Sequence, residues 1–461
     1  MSSPLDVGRQ PVLGEPTGLL PRQAGIIVFL AFAAAYFSST LVRAITATLS
    51  PVLTQEFSLQ ARDLGLLAGG YFLGFAAIQL PLGAWLDRYG PKRVILCFLT
   101  LAVLACLAFS AATSFTSLLL ARVLLGMGVG ACLMAPLTGY RRWFDAGTLL
   151  RANSWMLMTG SLGMLASTLP VQWLLPLTGW RPLFWILAVL IVLAMALIVW
   201  VVPRWRDVAP TLATAFAALP LSAGIGANFP RGGPSDKSSL TLAASITLPA
   251  GFPRQEASYA EIWRKRYFQK MSLLAFFNYG GVIAIQTLWA GPWMVKVAAY
   301  TPLEAATGLF WINACMLLTF WAWGLVNPWL SQHGWSADRL ITWGVPVSLL
   351  ALAVNIAAGT STGWLGWALF CMGSSALGLA QPAVGLAFGA SLAGRAMSAY
   401  NLLLFCGVFV VQWGIGLLID AFRSAGLSEV ASFQAAMGVF LACCLASYGY
   451  FLSVNAEDSA P

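Results

Sequence analysis

The chain has 461 residues, of which 59% are hydrophobic and only 9% charged, and its mean hydropathy is +0.80. Ordinary soluble domains carry about a quarter charged residues, so this composition excludes a soluble globular protein and implies a polytopic membrane protein in a lipid bilayer. The net charge of +9 would suggest a nucleic-acid partner in a soluble chain. Here the basic residues fall between long apolar runs, and no nucleic-acid partner is expected.

Taken in order, residues 1–23 hold four prolines, three glycines and balanced charges, and read as a tail. The apolar run that follows continues through Leu49, too far for a cleaved signal peptide, and is the first transmembrane helix. A length criterion of roughly 20 apolar residues predicts helices at 24–49, 62–86, 92–112, 115–140, 149–177, 181–203, 268–296, 303–329, 337–359, 363–391, 396–421 and 430–453. That makes twelve, which puts both termini on one side. Of 25 Lys and Arg, 19 fall on that side, four (Arg62, Arg181, Lys296 and Arg423) on the opposite side, and two (Arg43 and Arg122) within the membrane. By the positive-inside rule both termini are cytoplasmic, in a multi-pass protein of the cytoplasmic (inner) membrane.

A connection at 204–267, far longer than any other, divides the chain into a six-helix bundle at 24–203 and a second at 268–453, with a short tail at 454–461. The middle of this cytoplasmic loop, 209–251, is rich in Ala, Ser, Thr, Gly and Pro without a steady period, so no packed structure is expected there. Its end, Glu261-Ile-Trp-Arg-Lys-Arg-Tyr267, reads as a short amphipathic helix drawn to anionic headgroups.

The turn between the second and third helices reads Gly83-Ala-Trp-Leu-Asp87-Arg88-Tyr-Gly90-Pro-Lys92-Arg93. Its spacing, Gly-x-x-x-Asp-Arg-x-Gly-x-Lys-Arg, resembles the hairpin at this place in the major facilitator superfamily of secondary transporters. Two further features are similar to that family: Arg122-x-x-x-Gly126-x-Gly128-x-Gly130 in the fourth helix, and Gly179-Trp180-Arg181-Pro-Leu-Phe184 before the sixth. The resemblance implies an all-α fold of two pseudo-symmetric six-helix bundles that works by alternating access. It also implies gating roles for Gly83, Asp87, Arg88, Gly90, Lys92 and Arg93, with the acid latching the two halves on the cytoplasmic side against a helix N-terminus. Arg151-Ala-Asn-Ser and Arg395-Ala-Met-Ser echo one another across the halves, while Gly324-Leu-Val-Asn327 has lost the Asp-Arg of its counterpart. In the fifth helix, Gly160-Ser-Leu-Gly163 departs from the Gly-Pro-x-x-Gly-Gly run of proton-driven drug exporters.

Charges within hydrocarbon are costly and mark functional sites. Both are arginines, and no carboxylate lies in the middle of a predicted helix. An arginine without a protein counter-ion suits an anion with planar oxygens, such as a carboxylate, phosphate or nitrate. Tyr36, Thr40 and Arg43 share a face of the first helix. An arginine there resembles the substrate-anion arginine of the organophosphate and anion:cation branches, although Val42 stands where the carboxylate symporters of the second branch commonly carry an acid. The alternatives are that Arg43 snorkels to the headgroups and that Arg122 packs helices. Asn278, Val282, Gln286, Trp289 and Trp293 follow at helical spacing along the seventh helix, making Asn278, Gln286 and Trp289 the expected opposite wall. Gln412, Asn401 and Asn153 are secondary candidates, with interhelical bonding as the alternative.

The reading is a monomeric porter of a small organic anion. A coupled proton would ride on the substrate or run through Arg122-linked chemistry. Other readings are an exporter of hydrophobic compounds lined by tryptophan, and a non-transporting sensor that signals through the 204–267 loop. Enzyme chemistry is not expected: Gly359-Thr-Ser361-Thr-Gly363 matches Gly-x-Ser-x-Gly, but the sole histidine, His333, falls on the opposite side of the membrane. The eight cysteines lie in apolar runs without metal spacing, and no metal or cofactor is expected.

Overall fold

A computed structural model of the protein describes residues 19–203, 259–388 and 390–454. Most of the residues expected as tails, 1–18 and 455–461, and most of the central loop, including 209–251, lie outside the described residues. Among those described, every regular element is helical. Ten helices are individually long and apolar enough to cross a membrane, and Ala61–Ala77 with Gln79–Tyr89 makes an eleventh span bent by 45°. Ala146–Ala166 and Leu169–Thr178, interrupted at Ser167 and Thr168, complete the twelve.

In chain order the spans are Arg22–Phe57, the bent pair, Pro91–Ser110, Phe115–Trp143, the interrupted pair and Trp180–Val201 in the first bundle. The second bundle holds Arg266–Lys296, Pro302–Gln332, Ala337–Ala358, Trp364–Leu386, Ala390–Ser424 and Glu429–Ser453. The end where Arg22 begins the first span and Ser453 ends the last is the terminal side; the other is the far side. The first span runs 36 residues, well beyond 24–49, because it leaves the hydrocarbon as a helix through Thr54, Gln55 and Glu56. An apolar criterion reads only the buried part of such a helix.

The two breaks have local causes. Pro81 has no N–H to donate to the carbonyl of Ala77, which accounts for the kink in span 2. In span 5 the hydroxyls of Ser167 and Thr168 bond back to the carbonyls of Met164 and Leu165, both at 2.6 Å, ahead of Pro170. The carbonyl of Ser167 is taken by Thr48 Oγ1 of span 1 at 2.8 Å, so the break costs no unpaired group there.

Within the first bundle, backbones touch where glycine permits. A Cβ on Gly126 would lie 1.9 Å from the carbonyl oxygen of Tyr71, so the Arg122-x-x-x-Gly126 sequence brings spans 2 and 4 into contact. The two bundles meet on the far side. There a Cβ on Gly65 of span 2 would sit 2.5 Å from the Gln412 carbonyl oxygen of span 11, and one on Gly291 of span 7 would sit 3.1 Å from the Ala47 carbonyl oxygen of span 1. Nearer the middle, Phe75 of span 2 meets Phe405 of span 11 with ring centroids 4.5 Å apart. Toward the terminal side the bundles part: a Cβ on Gly83 would meet nothing within 4 Å, and Asp87 and Arg88 are exposed. Outside the far-side seal lies a vestibule of about 390 Å³, lined by Thr54, Gln60, Lys296, Arg423 and Glu429 with Trp289 at its floor.

Candidate substrate site

Arg43 sits in span 1 between the bundles, partly buried, with its guanidinium carbon 5.7 Å from the centroid of Phe75. Its Nε is buried and has no partner among the described residues. The Tyr71 hydroxyl of span 2 donates to the Ser39 carbonyl at 3.4 Å, and Tyr71, Tyr36 of span 1 and Tyr279 of span 7 all lie within electrostatic reach of the guanidinium. Tyr400 of span 11, beside Tyr279, buries a hydroxyl with no partner among the described residues. A fixed cation and tyrosine hydroxyls from both bundles thus converge, and the described ion pairs leave Arg43 without an acidic partner. Such a constellation can receive a planar anion: the guanidinium supplies charge and paired donors, and the hydroxyls supply further donors.

Arg122 is placed differently. It is fully buried, and its Nη1 and Nη2 donate to the carbonyls of Val42 and Arg43 at 2.9 and 3.1 Å, with the guanidinium 5.0 Å from the centroid of Tyr71. Its two terminal nitrogens are bonded to the backbone that carries Arg43, while its Nε, like that of Arg43, is buried without a partner among the described residues; the two backbone bonds hold it against span 1 and stiffen the site from behind. Arg122→Gln should cost about 2–3 kcal/mol of stability through lost charge-assisted bonds to the Val42 and Arg43 carbonyls. The measurement is thermal unfolding with and without ligand: the midpoint should drop by several degrees, with ligand still adding most of its wild-type stabilisation.

The expected wall in span 7 needs correction. Asn278 donates to Ser447 Oγ at 2.7 Å and to the Cys444 carbonyl at 3.3 Å, facing span 12. Gln286 donates to Asn313 Oδ1 at 2.9 Å, facing span 8, and the Trp289 indole donates to the Gln412 carbonyl at 3.0 Å, facing span 11. The cause is a pair of π turns, Ala275–Tyr279 and Ile285–Trp289. Each π turn holds an extra residue, so a stripe drawn at 3.6 residues per turn drifts off its face. Tyr279, not Asn278, is brought to Arg43.

The remaining candidates divide between packing and the site. Tyr36 lies within electrostatic reach of Arg43. Thr40 is buried against span 5, its hydroxyl bonded to the carbonyls of Tyr36 and Phe37 at 3.2 and 3.1 Å. Gln412 donates to Thr287 Oγ1 at 2.9 Å, and Asn401 Oδ1 accepts from Gln381 at 2.9 Å; both tie helices of the second bundle together. Asn153 keeps a buried Oδ1 with no partner among the described residues. In the charged hairpin, Gly90 has φ +76°, which suits glycine between two helices. Lys92 donates to the Val199 and Val202 carbonyls at 2.8 and 2.6 Å, closing the end of span 6. Ser361 is exposed in a far-side turn, while His333 lies at the terminal side with Nδ1 2.8 Å from the Trp329 carbonyl, so Ser361 and His333 form no pair.

The family model described as Major Facilitator Superfamily matches residues 28–412, most of the chain. The chain belongs to the major facilitator superfamily. Its many apolar helices make it a multi-pass membrane protein. A bacterial homologue of the human lysosomal transporter Spinster, solved in an inward-facing and unoccupied conformation, shares the fold with a TM-score of 0.71 at 17% identity, over 94% of this chain and 97% of that one. Among curated proteins, a probable sulfoacetate transporter of Cupriavidus necator is 25% identical over 270 residues, 58% of this chain and 56% of the relative. A 4-hydroxybenzoate transporter of Pseudomonas aeruginosa is 29% identical over 135 residues, 29% of this chain and 30% of the relative. The matched stretches thus span about half or less of these relatives' own length.

Proposed function

We propose that the protein is a secondary transporter that moves a small organic anion, carboxylate-like in its charged group, by alternating access. The single observation that carries this reading is Arg43: a cation with unspent donors, without an acidic partner among the described residues, ringed by tyrosines from both bundles. A substrate anion would complete its charge balance and would touch both bundles at once. Such contact lets a ligand distinguish the two access states, as transport requires. The relatives named for sulfoacetate and 4-hydroxybenzoate support an organic acid as cargo.

The tryptophan-lined exporter reading loses support, because Trp293 is buried within the second bundle and the Trp289 indole N–H is committed to the Gln412 carbonyl. A coupled proton would travel on the substrate, since no described acid pairs with Arg43. We further propose a monomer in the cytoplasmic membrane with both termini cytoplasmic, the orientation that the distribution of basic residues favours. The test is thermal unfolding of the purified protein against carboxylates, sulfonates, organophosphates, nitrate, neutral sugars and lipophilic cations. A ligand at roughly 100 times its dissociation constant adds about 2.7 kcal/mol. Stabilisation by an organic anion class alone is the expected result; stabilisation only by neutral or cationic compounds refutes the reading.

A further inference from the structure

The far-side end of span 2 has its hydrogen bonds fully assigned, and two of them cross to the other bundle. The first turn of a helix leaves N–H groups with no acceptor of their own. At Ala61–Ala77, the Asp63 carboxylate accepts the N–H of Gln60 at 3.0 Å, and the N–H groups of Asp63 and Leu64 reach the Gln60 carbonyl at 3.1 Å each. Ala61 and Arg62 remain. Their N–H groups donate to Oδ1 and Oδ2 of Asp420, at 3.3 and 2.8 Å.

Asp420 lies in Ala390–Ser424, the eleventh span, so one bundle supplies the cap for a helix of the other. No described ion pair gives Asp420 a cation. Arg423, one turn on, donates to Glu429 at 2.6 Å, and Lys296 lies 3.6 Å from the same carboxylate. The positive end of span 2 is therefore what faces Asp420. The contact is possible because Gly416, one turn earlier, lets the backbones close: a Cβ there would lie 2.4 Å from the Ala61 carbonyl oxygen.

We propose that Asp420 holds the far-side gate shut, as a positioning residue that sets the ratio of the two access states. The inference goes beyond the substrate reading and does not depend on which anion is carried. Separating spans 2 and 11 on the far side must break both bonds, because each joins one bundle to the other. A carboxylate fits the task, with one oxygen for each N–H. An asparagine supplies one oxygen, and an alanine none. Loss of a helix cap shifts a conformational equilibrium by roughly two- to thirtyfold.

The experiment uses the full chain with p-acetylphenylalanine at Gln55 and Ser424, exposed far-side positions on separate bundles, each carrying a spin label attached through the ketone. Pulsed electron resonance then gives the distance distribution without interference from the native cysteines. Asp420→Ala should raise the ratio of long to short distances by roughly two- to thirtyfold, and Asp420→Asn should do so by less. Asp420→Asn keeps the side-chain volume and carries the test if the alanine variant does not fold. Distributions that superimpose on wild type in the folded variants overturn the proposal. So does an asparagine variant that fails to fold, since Asp420 would then support the fold and not the gate.

Discussion

Arg43→Gln should weaken binding of the transported anion by a hundredfold or more while leaving the protein folded. Removing one partner from a buried, hydrogen-bonded charge pair costs about 2–5 kcal/mol, and about 3 kcal/mol corresponds to more than a hundredfold in affinity. The fold should survive because Arg43 makes few packing commitments: its Nε has no partner among the described residues, and its backbone carbonyl still accepts from Arg122. The measurement is ligand-induced thermal stabilisation, with the unliganded midpoint as the control for folding. Wild-type and variant midpoints should agree without ligand and diverge with it. Full retention of binding by the glutamine variant would show that Arg43 is structural. Arg122→Gln should give the reverse pattern, with a lower midpoint and most of the ligand response kept. The contrast follows from the terminal guanidinium nitrogens, which Arg122 commits to the backbone of span 1.

How much of this was legible in the sequence depended on how regular the helices are. Twelve spans and two bundles follow from apolar length, and the family follows from the hairpin and fourth-helix motifs, because both properties survive small changes in helical phase. Arg43 was legible because a charge in an apolar run stands out. Its partners Tyr71 and Tyr279 were not. Tyrosine is ordinary in a membrane helix, and Tyr279 reaches the site only through a π turn that no residue pattern announces. The same turns carried Asn278, Gln286 and Trp289 away from it. Asp420 stood near an outer helix end, where an acid is unremarkable, and gained meaning only from the N–H groups brought to it from 359 and 358 residues away in sequence. Contacts between bundles are set by tertiary approach, which local periodicity does not encode.

Gly65→Val should abolish transport by preventing far-side closure, an effect larger than loss of the Asp420 cap. A Cβ on Gly65 would stand 2.5 Å from the Gln412 carbonyl oxygen and 3.2 Å from Trp413 Cα, both backbone atoms that cannot rotate away. That carbonyl is also fixed in place, because it accepts the Trp289 indole N–H at 3.0 Å while the Gln412 side chain donates to Thr287 at 2.9 Å. Overpacking of this kind costs about 1–3 kcal/mol, which shifts the ratio of states roughly five- to 150-fold away from the closed form. Opened on the far side, the same valine would contact nothing across the bundle boundary. The expected result is loss of transport in proteoliposomes, with retained ligand binding and a longer Gln55–Ser424 distance. Gly83→Val supplies the opposite control. A Cβ at Gly83 meets nothing within 4 Å in the far-side-closed state. If the charged hairpin closes against span 11 when the far side opens, this valine penalises only that other state and shortens the average Gln55–Ser424 distance. Two valines on one helix would then bias the cycle in opposite directions. A common effect of both would mean that they disturb span 2 itself and not the closure at its two ends.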